Sequence, residues 1–112
     1  MEFTGKLIYN DDGDYEIHNE NKVFYLTDAL NEIYYADNNH LSLRITCGDK
    51  LLFYEDSTIY KKTNKQGFYS YFICGADLED TLFDNTDKIV NVTITAEALG
   101  DYGPFIETKE GK

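Results

Sequence analysis

The chain contains no tryptophan, one proline, two histidines and two cysteines among its 112 residues. The cysteines, Cys47 and Cys74, are too widely spaced for a Cys-x-x-Cys pair and stand in no metal-type cluster. They read as reduced thiols in or near the core. A disulfide would require an oxidising compartment, and nothing in the chain points to one. The opening Met1-Glu-Phe-Thr-Gly-Lys6 lacks the charged-then-apolar pattern of a secretory leader. No apolar run approaches the ~18–20 residues that a spanning helix needs. The expected location is cytoplasmic, with no membrane partner. Asn91-Val-Thr93 matches a glycosylation sequon but lies in a β-rich apolar segment and is read as chance.

Bases are scarce as well. Ten Lys and Arg face 21 Asp and Glu, a net charge of -11. Small soluble domains usually carry about 2–8 units. Such a field repels nucleic acid and anionic membrane, and it attracts basic partners. Most of the excess acid lies before Ser57. The one basic cluster, Lys61, Lys62 and Lys65, is too small for a nucleic-acid site and reads as a solubilised hairpin tip.

The motifs of catalysis and cofactor binding are missing: no GxGxxG, P-loop, GxSxG or HExxH. Asp11, Asp12 and Asp14 around Gly13 approach a calcium loop. The template needs an acid five residues before the glycine and a Glu six after it, where Ile8 and Asn19 stand. No metal or cofactor is expected, and the chain reads as a non-enzyme. His18 or His40 beside a carboxylate in a deep pocket would be the enzymatic alternative.

What the chain does have is tyrosine and phenylalanine, 10 and 7 residues. Together with Ile, Val and Thr they favour strands. Strands are expected over 3–9, 14–18, 22–26, 41–46, 51–55, 58–60, 68–74, 89–96 and 105–108, joined by short turns. Phe105–Thr108 is expected to return from the turn at Gly100–Pro104. A helix capped by Thr27 or Asp28 places Leu26, Leu30, Ile33 and Tyr34 on one face. A second opens at Gly75-Ala-Asp77 and runs to about Asn85, with Leu78 and Leu82 inward and Phe83 near them.

The expected fold is α+β, an antiparallel β-rich single domain over 1–112. Both halves, about 3–56 and 57–109, read strand–strand–helix–strand–strand. Ile8-Tyr9 matches Ile59-Tyr60, Gly13 matches Gly67, and Leu43-Arg-Ile-Thr46 matches Val92-Thr-Ile-Thr95. That pattern admits two pseudo-symmetric ββαββ units with one short helix each. Any meander with helices would look similar.

Two acidic surfaces stand out. In Asp12-Gly-Asp-Tyr-Glu-Ile-His-Asn-Glu20 the residues Asp12, Asp14, Glu16 and Glu20 share one parity, while Tyr15 and Ile17 take the other. Carboxylates so spaced can imitate a phosphate track. The plainer reading is an edge strand kept soluble by charge. Asp77, Asp80, Asp84 and Asp87 fall on one face of the second helix, where like charges repel. The plainer reading there is a solvated face with Asp87 already in a loop. Tyr34 and Tyr35, adjacent on a helix, are candidate contact residues, one more exposed than the other.

In size, charge and Asp/Asn/Tyr/Lys-rich composition the chain resembles small acidic proteins of phages and mobile elements, including DNA mimics and anti-CRISPR or anti-restriction proteins. The resemblance rests on no motif and carries over no functional residue. It implies an inhibitor that occupies the basic nucleic-acid-binding groove of a target, such as a nuclease or a CRISPR or restriction effector. The chain itself would bind no nucleic acid. The alternative is a structural module, a homodimer built through a sheet edge.

Overall fold

Alternation of apolar and polar side chains builds most of this protein. Phe3, Gly5 and Leu7 of strand β1 (Glu2–Tyr9) are buried, and Glu2, Thr4 and Lys6 between them are exposed. The same period-2 pattern recurs in β2 (Tyr15–His18), β4 (His40–Cys47) and β8 (Ile89–Thr95). The remaining strands are β3 (Lys22–Tyr25), β5 (Lys50–Thr63), β6 (Tyr69–Ile73), β7 (Ala76–Asp77) and β9 (Ile106–Thr108). The computed structural model describes residues 1–63 and 65–109. Asn64, between the expected strands 58–60 and 68–74, and the last residues of the expected 1–112 domain lie outside the described residues.

The strands form one antiparallel sheet in the order β7-β6-β5-β4-β8-β1-β2-β3-β9. From the central β4–β8 pair, β5, β6 and β7 run outward on one side and β1, β2 and β3 on the other. One face carries helices α1 (Leu26–Tyr35) and α2 (Leu78–Asp84). Leu7, Ile17, Phe24, Leu30, Ile33, Leu43, Ile73, Leu78 and Ile94 all belong to the single core between sheet and helices. Burying each such side chain stabilises by about 1.5–3 kcal/mol. The fold is thus α+β, as the composition and periodicity imply.

Several expectations change. The segments 51–55 and 58–60 are one strand, β5, whose first part pairs with β4 and whose last part pairs with β6. A bulge at Leu51–Leu52 opposite Thr46 re-phases its start, and beyond it Phe53 and Ile59, on the same parity, both face the core. The last strand does not return beside β8. Short 3₁₀ turns at Glu97–Leu99 and Gly103–Phe105 carry the chain across to β3, where β9 pairs. Ile59 is fully buried, whereas Ile8 pairs with Glu16 on the opposite face from Leu7. The match of Ile8-Tyr9 to Ile59-Tyr60 therefore slips by one residue; Leu43 and Val92, both buried, do correspond in burial.

Neither Thr27 nor Asp28 caps α1. The helix starts earlier, at Leu26, and Tyr25 occupies the cap without a side-chain bond. The Thr27 hydroxyl instead accepts the backbone N–H of Tyr15 at 2.8 Å and ties α1 to β2. Gly5 is required for packing. A Cβ there would lie 2.4 Å from the His18 carbonyl oxygen, where the chain leaves β2.

Candidate functional site

The turn between β1 and β2 is organised by Asn10. Its Oδ1 accepts the backbone N–H groups of Asp12 at 2.9 Å and Asp14 at 3.0 Å. Its Nδ2 donates to Glu16 at 2.7 Å. Gly13 at φ +85° supplies the left-handed residue that closes the turn. The result aims Asp12 and Asp14 toward the start of α1. There they meet Asp28, and together with Glu16 and Tyr25 the acids line a cavity of about 190 Å³. Partial burial and then the charges of Asp28, Asp12 and Glu16 hold the Asp14 carboxyl above the ordinary range.

Asp14 also lines a second cavity of about 190 Å³, with Asn31, Lys61, Ser70, Tyr71 and Glu79. Glu79 comes from the first turn of α2. Asp77 caps that helix by accepting the Asp80 N–H at 3.3 Å, and the Ser70 hydroxyl also donates to Asp77. Burial raises the Glu79 carboxyl, against the Ser70 hydroxyl, the Tyr71 backbone and Lys61, which favour its charged form.

Tyr69 and Glu79 lead on into a larger cavity of about 410 Å³. Tyr9 and Phe83 form one side of it, ring edge to ring face with centroids 6.3 Å apart. Phe68 and Tyr69 come from the hairpin between β5 and β6, and Asp80 stands beside them. Phe83 is 65%, Phe68 70% and Tyr69 77% exposed, unusual for large rings on one cavity. The three cavities adjoin through shared lining residues, and together this grooved surface is acidic at one end and aromatic at the other.

The groove draws acids from both halves of the chain. Burial raises the Tyr71 phenol, and the charges of Glu79 and Asp14, one from each half, add to the shift. Burial likewise raises the Tyr15 phenol, with further contributions from Glu79, Asp77 and Asp84. Little neutralises this charge. Among the described residues the ion pairs are Glu16 with His18, at 2.7 Å, and Asp56 with His40; no carboxylate pairs with Lys or Arg. Lys61, the one basic side chain among the described residues that lines the groove, rests over the rings of Tyr34, Tyr35 and Tyr71 at 5.0–5.5 Å. Lys62 lies over Phe72. These two lysines are therefore packed on aromatic rings rather than standing free at a hairpin tip.

The expected site residues scatter in part. Asp12, Asp14, Glu16 and Asp80 line the groove. The continuous track from Asp12 to Glu20 does not form: Asp12 is in a turn, and β2 has only four residues. Nor is β2 an edge, since it lies between β1 and β3. Burial alone would raise the Glu16 carboxyl, but hydrogen bonds with His18 and Asn10 outweigh it and hold it below the ordinary range. Glu20 sits in the turn at the far end of β2, away from the groove. Asp77 is a cap, Asp84 is the exposed last residue of α2, and Asp87 lies beyond the helix at φ +73°. The four aspartates therefore share no helical face. Tyr34 is half-buried and Tyr35 is 76% exposed.

Phe83 points to solvent rather than into the core, and it was the clue to what sequence reasoning missed. Glu79 and Phe83 are one helical turn apart, so they share the face that meets the groove. Asp28, Tyr9, Phe68 and Tyr69 reach it only through tertiary contacts. His18 and His40 do not line the groove. Among the described residues no group of three or more His, Cys, Asp or Glu could hold a metal ion, and no helix is long and apolar enough to cross a membrane. No family model matches this chain, and neither a curated protein nor a solved structure matches it.

Proposed function

We propose that this chain is a non-enzymatic acidic inhibitor that binds the basic, nucleic-acid-handling surface of another protein. One observation carries the reading: carboxylates from both halves, with no Lys or Arg paired to them among the described residues, converge on one groove. Keeping like charges together costs stability, and a cationic partner would recover that cost on binding. The mimicry is of charge density on a grooved surface rather than of an evenly spaced phosphate track. Cytoplasmic residence and an origin in a phage or mobile element belong to the same proposal. So does an internal duplication: the order of strands outward from β4–β8 supports two related units, with the groove between their first hairpins.

The test is affinity capture from bacterial lysate, washed at low and then high salt, with mass spectrometry of the eluate. A DNA- or RNA-processing protein released by salt, whose nucleic-acid binding the purified chain competes, supports the reading. Asp14→Lys with Asp80→Lys should then reduce capture at least about tenfold, and Glu20→Lys should not. Capture of nothing, with a dimer on light scattering, would favour a homodimeric module instead. The outermost strands of the sheet are the two-residue β7 and the three-residue β9, and among the described residues β5 also has no paired strand over 50–58 on its side away from β4.

A further inference from the structure

We infer that the aromatic end of the groove, between Tyr9, Phe68, Tyr69, Phe83, Glu79 and Asp80, is an anchor pocket for one arginine side chain of the partner protein. The inference rests on the proposed reading and specifies which group of a basic surface the groove takes.

The chemistry selects the guest. A cavity of about 410 Å³ open to solvent admits a long side chain. Its rings offer flat apolar faces, and its two acids come from adjacent positions on α2. Guanidinium is planar, weakly hydrated and always charged. It stacks on rings and offers a fork of donors to a carboxylate in the same pose. Lysine's ammonium can sit over rings, as Lys61 does, but as a compact, strongly hydrated point charge it has no planar fork to stack and pair with a carboxylate in one pose. A nucleobase would stack equally well, but its phosphate would meet Glu79, Asp80 and the acidic end of the groove.

A cation already occupies the neighbouring position. Lys61 lies over three tyrosine rings at the rim of the adjoining cavity, beside Glu79. The same pairing of rings with carboxylate continues past Tyr69, where no basic side chain among the described residues lines the cavity. Glu79 is held partly out of water there, a cost that an incoming guanidinium offsets. Arginine anchors seated in aromatic pockets are a common form of interface hot spot.

Calorimetry with octa-arginine and octalysine peptides tests this on the full chain, Phe83→Ala, Tyr69→Ala and the distal control Glu20→Gln. Both mutated rings are largely exposed, so the fold should persist, and circular dichroism checks it. The wild type should bind octa-arginine about tenfold more tightly than octalysine. Each ring variant should fall to the octalysine level, and Glu20→Gln should retain the full preference. Equal affinity for the two peptides, or a preference that survives both ring variants, overturns the arginine pocket and leaves the acidic-surface reading standing. Absence of binding to either peptide at low salt overturns that reading, and the pocket with it.

Discussion

Asp14, in the first hairpin, and Glu79, in the second helix, line the same cavity, and burial holds both carboxyls above the ordinary range. Two acids from opposite halves of the chain thus share a cavity where water is partly excluded. Folding alone gains little from this arrangement. A partner that brings positive charge would gain from it directly.

Glu79→Gln should therefore stabilise the protein at neutral pH. A carboxyl whose pKa is raised on folding holds its proton more tightly in the folded state. Its favourable contribution is complete at low pH and is lost as pH rises through the raised value. The variant should melt higher than wild type at pH 7, by on the order of a few degrees. The difference should vanish below about pH 4, where the group is protonated in both states. Thermal melts at the two pH values check this; a lower melting temperature at pH 7 would mean that the charged form is needed for the fold.

Lys61→Met tests the opposite balance. It removes the cation over Tyr34, Tyr35 and Tyr71 while keeping an apolar stem. The loss should be about 0.5–2 kcal/mol in urea denaturation. Removing this basic side chain from the groove lining should also tighten binding of octa-arginine severalfold. Weaker peptide binding would show that Lys61 shapes the groove instead of opposing its guests.

Thr27→Val retains shape and burial but removes the acceptor for the Tyr15 N–H. That amide would be left unsatisfied inside the protein, at about 1–3 kcal/mol. Thr27→Ser should recover most of the loss. Hydrogen exchange at Tyr15 reads the bond directly, and protection unchanged in the valine variant would refute its role.

Gly5→Ala puts a methyl group into the backbone of the β2–β3 turn, with the His18 carbonyl 2.4 Å away. The strand ends must shift to admit it, at about 1–3 kcal/mol. A melting temperature equal to wild type would show that the turn yields freely. Gly48, which has nothing near its missing Cβ, serves as the comparison for crowding, although its φ of +59° is itself strained for other residues.

Much of the architecture was legible because it depends on local periodicity. Phe3, Leu7, Tyr15, Ile17, Leu41, Leu43, Ile45, Val90, Val92 and Ile94 are buried as their alternation requires. Leu26, Leu30 and Ile33 lie inward on α1 as their helical spacing requires. Alternation also placed Glu16 opposite Tyr15 and Ile17. It gave no warning that Asp12 would fall in a turn or that β2 would lie between two strands, because pairing partners are not encoded by the period. The aspartates of α2 misled for a related reason: the spacing was helical, but the helix ends at Asp84, before Asp87 is reached.

Charge, strand content and the inward faces of the elements follow from the order of residues, since each depends on a residue and its near neighbours. Which acids share a surface does not. Asp14 and Glu79 line one cavity, and Tyr9 meets Phe83, because the sheet order carries α2 and the β5–β6 hairpin to the first turn of the chain. A groove made by two distant segments exists only once the long-range strand pairs have formed, and those pairs are decided by the packing of the whole core.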